Sequence, residues 1–161
     1  NAARGTNRGF ELESRWLTHE NLTLFANIGL LQARFDEFVN EAGENLAGRD
    51  QAQAPAYTYN LGANIDIGHW HTSVSIDGKD EFYFSDRHSL TSTAYTLLNT
   101  NISYVQARWK LSFWGRNLTN KDYTIRGFGS FGNDPRKGYI TESYVQYGEP
   151  RMIGVSAEYE L

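Results

Sequence analysis

The 161-residue chain has no cysteine, three prolines and one methionine. Without cysteine there is no disulfide framework and no thiolate metal site. No run approaches the ~18 consecutive apolar residues of a membrane-spanning helix. Positive charge is not in excess: 15 Lys and Arg stand against 19 Asp and Glu, a net charge of -4, so there is no basic footprint for nucleic acid. G-x-S-x-G, a zinc-protease motif and a Walker lysine are all missing, which leaves no catalytic constellation to assign. Asn1 stands where a start Met would be, with no charged-then-apolar leader, and the chain reads as a piece of a longer precursor.

What is present is aromatic residues at 14% and 15 glycines, with a mean hydropathy of -0.57. That mixture suits a β protein with many turns. It equally suits an outer-membrane barrel, whose half-polar strands dilute the hydropathy signal. Period-2 alternation predicts seven strands over 8–17, 22–35, 55–67, 70–83, 94–104, 109–122 and 147–161. Phe10, Leu12, Ser14 and Trp16 share one face of the first. Leu22, Leu24, Ala26, Ile28 and Leu30 share one face of the second. Tyr57, Tyr59, Leu61, Ala63, Ile65 and Ile67 oppose Thr58, Asn60, Gly62, Asn64 and Asp66 in the third. In the last, Ile153, Val155, Ala157, Tyr159 and Leu161 alternate with polar residues to the final position. A soluble domain rarely ends on its most ordered amphipathic strand, whereas a membrane barrel must pair its last strand.

Connections are expected to alternate. Residues 18–21, 68–69 and 105–108 are tight turns, and 36–54, 84–93 and 123–146 are long and polar. An up-and-down barrel with short periplasmic turns and long outer loops has this pattern. Trp16, Trp70, Tyr104, Trp109 and Tyr159 fall beside the short turns and form a predicted membrane-interface belt. Phe10, Tyr57, Tyr59, Phe82, Tyr95 and Tyr123 fall near the long loops and form its predicted counterpart.

The segment Trp109-Lys-Leu-Ser-Phe-Trp-Gly-Arg-Asn-Leu-Thr-Asn-Lys-Asp-Tyr123 resembles the penultimate strand of TonB-dependent outer-membrane receptors. Asn117 to Tyr123 is its most family-specific part. Gly148-Glu149-Pro150-Arg151 and Ala54-Pro55-Ala56-Tyr57-Thr58 resemble strand openings of the same family. The resemblance implies an all-β fold, an antiparallel up-and-down transmembrane β-barrel, with residues 1–161 as a C-terminal portion of about seven strands. The family's plug domain and its earlier strands would lie outside the chain. The implied function is energy-coupled uptake of a scarce solute across a Gram-negative outer membrane, with a ferric siderophore first. Vitamin, haem or oligosaccharide uptake are the alternatives within the family. Implied partners are the TonB energy-transducing complex, reached through the plug, the barrel-assembly machinery, membrane lipid and the solute. No cofactor and no resident metal is implied. From another class, a soluble glycan-binding β-sandwich would also explain the Trp, Tyr and Asn content. It would need a second sheet against the apolar face.

Several motifs read structurally. Gly127-Phe-Gly-Ser-Phe-Gly132 matches G-x-G-x-x-G, but a turn sequence follows instead of a helix, so its glycines are expected to serve loop conformations with φ > 0. His69 and His71 are spaced to share a strand face but sit at a turn with no third ligand. Glu11 and Glu13 hydrate the expected barrel interior. Gly148 to Arg151 reads as loop closure and rim electrostatics. Candidate ligand contacts are the loop aromatics and charges: Tyr83, Asp86, Arg87 and His88 in one loop, Arg126, Phe128, Phe131, Arg136 and Lys137 in another. The basic residues suit an anionic ligand.

Overall fold

A computed structural model describes residues 3–131, 134–140 and 142–160. Leu161, which the terminal-strand reading includes, lies outside them, as does the side chain of Phe131. Eleven strands form: β1 (Arg4–His19), β2 (Leu22–Glu37), β3 (Tyr57–Ile67), β4 (Trp70–Lys79), β5 (Phe82–Tyr83), β6 (Thr91–Ser92), β7 (Tyr95–Gln106), β8 (Trp109–Arg116), β9 (Thr124–Phe131), β10 (Glu142–Tyr147) and β11 (Met152–Tyr159). Seven of them make one antiparallel sheet in the order β1-β2-β3-β4-β7-β8-β11. Each strand neighbours the next one used, as an up-and-down meander requires. The 3-10 turn at Pro135–Lys137 is the only helical element among the described residues.

Register fixes the faces. Phe10, Leu12 and Trp16 pair with Leu30, Ile28 and Leu24. Leu61 pairs with Ala26 on one side and Ile76 on the other. The row continues through Ile102, which lies opposite Thr72 and Phe113, to Val155 opposite Phe113. A one-residue slip anywhere would send a whole strand's apolar set to the other side. None occurs within the paired spans of β2 to β4, β7, β8 and β11, so one face is continuously apolar. The other carries Glu11, Glu13, Asn27, Asn60, Asn64, Asp77, Asn99, Asn101, Ser112 and Glu158.

No described residue covers that apolar face. Ile153 is 57% exposed and Val155 is 76% exposed. The buried apolar residues among those described are Ala33, Leu46, Phe82 and Phe84. They lie at the end of β2 that leads into the first long connection and in the long connections themselves, not under the sheet. A second sheet, which a sandwich needs, is not seen there.

The expected strands all form, with shifted ends. The strand expected over 70–83 stops at Lys79, and Phe82 and Tyr83 join a small hairpin with Thr91 and Ser92. The strand expected to reach 122 stops at Arg116 because Asn117 adopts φ 47, the left-handed region. The 123–146 connection contains the β9–β10 hairpin. The aromatic row near the long connections is also corrected. Phe82 is buried against Phe84, with ring centroids 5.5 Å apart. Tyr95 shares the parity of Leu97 and Asn99 and stacks near Tyr123 at 4.5 Å, so this pair belongs to the polar face. Near the short turns the aromatics cluster on the apolar face: Trp70 lies 5.0 Å from Tyr104, and Trp109 4.8 Å from Tyr159.

One cross-strand device on the apolar face depends on a missing side chain. Tyr59 in β3 pairs with Gly78 in β4, which pairs with Thr96 in β7. The Tyr59 ring occupies the space a Cβ on Gly78 would need, and its hydroxyl reaches the Thr96 hydroxyl at 2.6 Å. Gly78→Val should expel the ring, break that hydrogen bond and cost about 1–3 kcal/mol, as overpacking does. The check is the unfolding temperature of the receptor by heat-modifiable gel migration. An unchanged temperature would mean that the ring does not depend on this glycine.

Candidate functional site

The polar face carries a ladder of side-chain hydrogen bonds across the sheet. Asn27 Nδ2 donates to Asn60 Oδ1 at 3.2 Å, and Asn60 Nδ2 donates to Asp77 Oδ1 at 2.7 Å. Asn99 Nδ2 donates to Asp77 Oδ2 at 2.6 Å, with Ser75 Oγ at 3.3 Å. Amides suit this role because each donates and accepts at once. Asn99 Oδ1 then accepts the backbone N–H of Asn117 at 3.0 Å. Beside this ladder lies a cavity of about 500 Å³ lined in part by Ser73, Asn101, Trp114, Arg116, Tyr123 and Glu149.

Asn117 explains the most distinctive stretch of the sequence. It is 2% exposed and left-handed, a conformation Asn tolerates better than most residues. Its Nδ2 donates to the carbonyls of Lys121 (2.9 Å) and Glu149 (3.0 Å), and its Oδ1 accepts the Lys121 N–H at 2.8 Å. Asn120 Oδ1 accepts the Arg151 N–H at 3.1 Å, and Arg116 faces Glu149 at 3.9 Å. The 117–121 turn therefore pins the outer end of β8 to the start of β11, and the loop-closure reading of Gly148 to Arg151 has its geometry.

The three long connections join at a second cavity. Arg49, in the first connection, donates from Nη2 to the carbonyls of Ser85 and His88, both at 2.7 Å, and its guanidinium lies 3.9 Å from the centre of the Tyr83 ring. Gln53 donates to the carbonyls of Tyr83 and Phe84. The third connection meets the second at β9. Ser92 Oγ donates to the Thr124 carbonyl at 3.0 Å. The Phe84 and His88 rings fill the space that Cβ atoms on Gly127 and Gly129 would need. Neither glycine is at positive φ. They serve close approach, which corrects the expectation of φ > 0.

Where these segments meet is a cavity of about 590 Å³ lined by Gln53, Phe84, Ser85, Arg87, His88, Arg126, Gly127, Phe128 and Gly129. Among the described residues no carboxylate lines it. Of the sequence-derived candidates, Arg87, His88, Arg126 and Phe128 come together here. Arg87 also contacts Glu41 at 3.3 Å. Tyr83 lies under Arg49 and the Asp86 carbonyl accepts from Asn40 at 3.3 Å, and neither residue is part of the lining. Arg136 is paired with Asp134 through two contacts of 2.9 and 3.0 Å, and Lys137 with Glu142 at 2.5 Å, at the far end of the β9–β10 hairpin. These pairs hold the Asp134 and Glu142 carboxyls below their ordinary range, chiefly through the hydrogen bonds from Arg136 and Lys137. Sequence reasoning missed Arg49, Gln53, Phe84 and Ser85. His71 bonds Asp66 at 2.7 Å while His69 packs on Tyr104, so the two histidines have different environments. No group of three metal-ligating side chains occurs among the described residues.

An antiparallel meander with one uncovered apolar face, a polar face laced by amides and three connections gathered at one end defines a partial barrel. Comparison with known proteins agrees. The family model described as TonB dependent receptor-like, beta-barrel, matches residues 1–118. The ferric yersiniabactin uptake receptor FyuA from Yersinia pestis superposes with a TM-score of 0.78 at 18% identity, over 99% of this chain and 24% of that one. The siderophore receptor PiuA from Acinetobacter baumannii gives 0.73 at 15% identity, over 98% of this chain and 22% of that one. The chain belongs to the TonB-dependent receptor β-barrel family, a family of receptors and not of enzymes. It spans about a quarter of the length of these two receptors.

Two outcomes follow from the site. Asn117→Asp should cost about 1–3 kcal/mol, because a carboxylate would face the Lys121 and Glu149 carbonyls without a donor. Urea unfolding of the receptor in micelles checks it, and an unchanged midpoint would contradict the role of the amide. His88 is held below its ordinary pKa, first by desolvation and then by the Arg49 charge, against a smaller upward pull from Asp86. The imidazole is thus neutral in the ordered loop and takes up its proton more readily in the disordered one. Its contribution to loop order is complete above the ordinary value near 6.5 and is lost as pH falls below it. Hydrogen-exchange protection of residues 85–90 should fall between pH 7.5 and 5.5, and His88→Asn should flatten that fall. An equal fall in the variant would remove His88 as the cause.

Proposed function

We propose that this chain is a C-terminal portion of an outer-membrane receptor of a Gram-negative bacterium that captures a ferric siderophore at its outer loops. The whole receptor would import it through plug rearrangement driven by the TonB complex. The observation that supports this reading is the cavity lined by Arg87, His88, Arg126 and Phe128, with no carboxylate among its described lining residues. Guanidinium groups there suit an anionic chelate, and the Phe128 ring, 48% exposed, offers a surface to a flat organic ligand. Capture requires no bond to be made or broken. The uncovered apolar face would meet lipid, with Trp16, Trp70, Tyr104, Trp109 and Tyr159 at the periplasmic interface, and the barrel-assembly machinery would insert it.

The test of the solute is equilibrium binding by full-length receptor of a panel: a ferric catecholate, a ferric hydroxamate, haem, cobalamin and an oligosaccharide. A ferric chelate should bind most tightly, and Arg126→Ala should weaken it about tenfold or more, the worth of a charge-assisted hydrogen bond. Preference for the vitamin or the oligosaccharide, or an indifferent Arg126→Ala, would contradict the reading. The test of the lipid face is charge insertion. Ile102→Arg should destabilise the barrel in lipid vesicles by about 2–4 kcal/mol if it lies near mid-bilayer, and Asn64→Arg on the opposite face far less. Equal costs would reverse or abolish the assigned faces.

A further inference from the structure

We infer that Arg49 is the positioning residue of the outer cavity: it lines none of it, yet it holds the 83–88 segment in the shape that presents Arg87 and His88. This inference rests on the proposed capture role of that cavity. Four observations converge. The Arg49 backbone is fixed to the sheet, since the Phe35 N–H in β2 donates to the Arg49 carbonyl at 3.0 Å and the Arg49 N–H donates to Leu46 at 3.0 Å. Its guanidinium clasps two carbonyls three residues apart, Ser85 and His88, at 2.7 Å each. The same group lies on the Tyr83 ring at 3.9 Å. Arg49 Nε is buried with no hydrogen-bond partner among the described groups, a cost borne only where the rest of the side chain is held elsewhere.

A single nitrogen, Nη2, spans the two carbonyls while the guanidinium lies over the phenol ring. An ammonium could donate to the carbonyls but lacks the planar, weakly hydrated face that rests on the ring. The other contacts to the segment are weaker candidates for this role. Arg87 to Glu41 is an exposed pair, worth little in water. Gln53 holds Tyr83 and Phe84 but does not reach Ser85 or His88, and Asn40 makes one longer bond, 3.3 Å, to the Asp86 carbonyl. Arg49 thus ties the first connection, anchored on β2, to the residues of the second that line the cavity. Without it the segment would sample other shapes, and a ligand would meet the competent one less often. Apparent affinity falls by that fraction, through association more than dissociation.

The experiment uses full-length receptor with Arg49→Ala, Arg49→Lys and, as control, Glu41→Ala. Hydrogen-exchange protection of residues 83–90 is read without ligand, and association and dissociation rates are read with a ferric catecholate and a ferric hydroxamate as probes, on folded protein. Arg49→Ala should lower protection at least tenfold and slow association of a bound probe about tenfold, with dissociation little changed. Arg49→Lys should recover part of the loss and Glu41→Ala should show none. A misfolded barrel would reduce the amount of binding protein and leave the rates of the remainder unaltered. Unchanged protection in Arg49→Ala overturns the inference whatever the probes do. Lost protection with unaltered rates for every probe that wild type binds overturns the cavity as the capture site, and with it the proposed function.

Discussion

Everything in this molecule depends on an apolar face that its described residues do not cover. Folding normally removes such a surface from water, and burial of apolar area is its main driving force. Here the strands hydrogen-bond edge to edge and expose Val74, Ile76, Ile102, Phe113 and Val155 together. The surroundings must supply what a core would. In the proposed reading hydrocarbon does so, and lipid, which offers no partner to an N–H or carbonyl, suits a sheet whose inner strands are paired on both sides. The amide ladder on the opposite face is the complement: Asn60, Asp77 and Asn99 satisfy one another across three strands.

Beyond the sheet the logic inverts. The outer connections have the small core that the sheet lacks, with Leu46, Phe82 and Phe84 buried. Their backbone is held by side chains: Arg49 and Gln53 on carbonyls, Asn40 accepting the N–H groups of Ala42 and Glu44, Asn117 on both sides of a turn. Long loops ordered this way lose less entropy when a ligand arrives. The sheet and the connections gathered at one end of it are thus built by different interactions on one chain.

Strand faces were legible because period 2 leaves a direct mark, and the register follows that mark through β2 to β4, β7, β8 and β11 and, in β1, from Gly5 to Leu17. Strand ends were less so. The Asn117 turn interrupts an alternation that Trp114 and Arg116 continue in the sequence, and glycine-rich 127–129 hid the β9–β10 hairpin. Tyr95 and Tyr123 count as belt aromatics by position alone, but parity turns Tyr95 to the polar face. For the site, loop membership singled out Arg87, His88, Arg126 and Phe128. It also singled out Arg136 and Lys137, whose acidic partners Asp134 and Glu142 stand two and five residues away. Arg49 left no trace, since its partners are carbonyls 36 and 39 residues distant, and a carbonyl has no residue type.

The central claim is that the two faces meet different solvents. No native cysteine among these 161 residues competes with a single replacement for the label. Leu61→Cys, Ile76→Cys and Ile102→Cys, with Asn64→Cys and Ser73→Cys opposite, carry a nitroxide in full-length receptor reconstituted in lipid vesicles. Collision with oxygen, which concentrates in lipid, should dominate at Leu61, Ile76 and Ile102. Collision with a water-soluble nickel chelate should dominate at Asn64 and Ser73. Equal accessibility of both reagents at the two sets of positions would contradict the account.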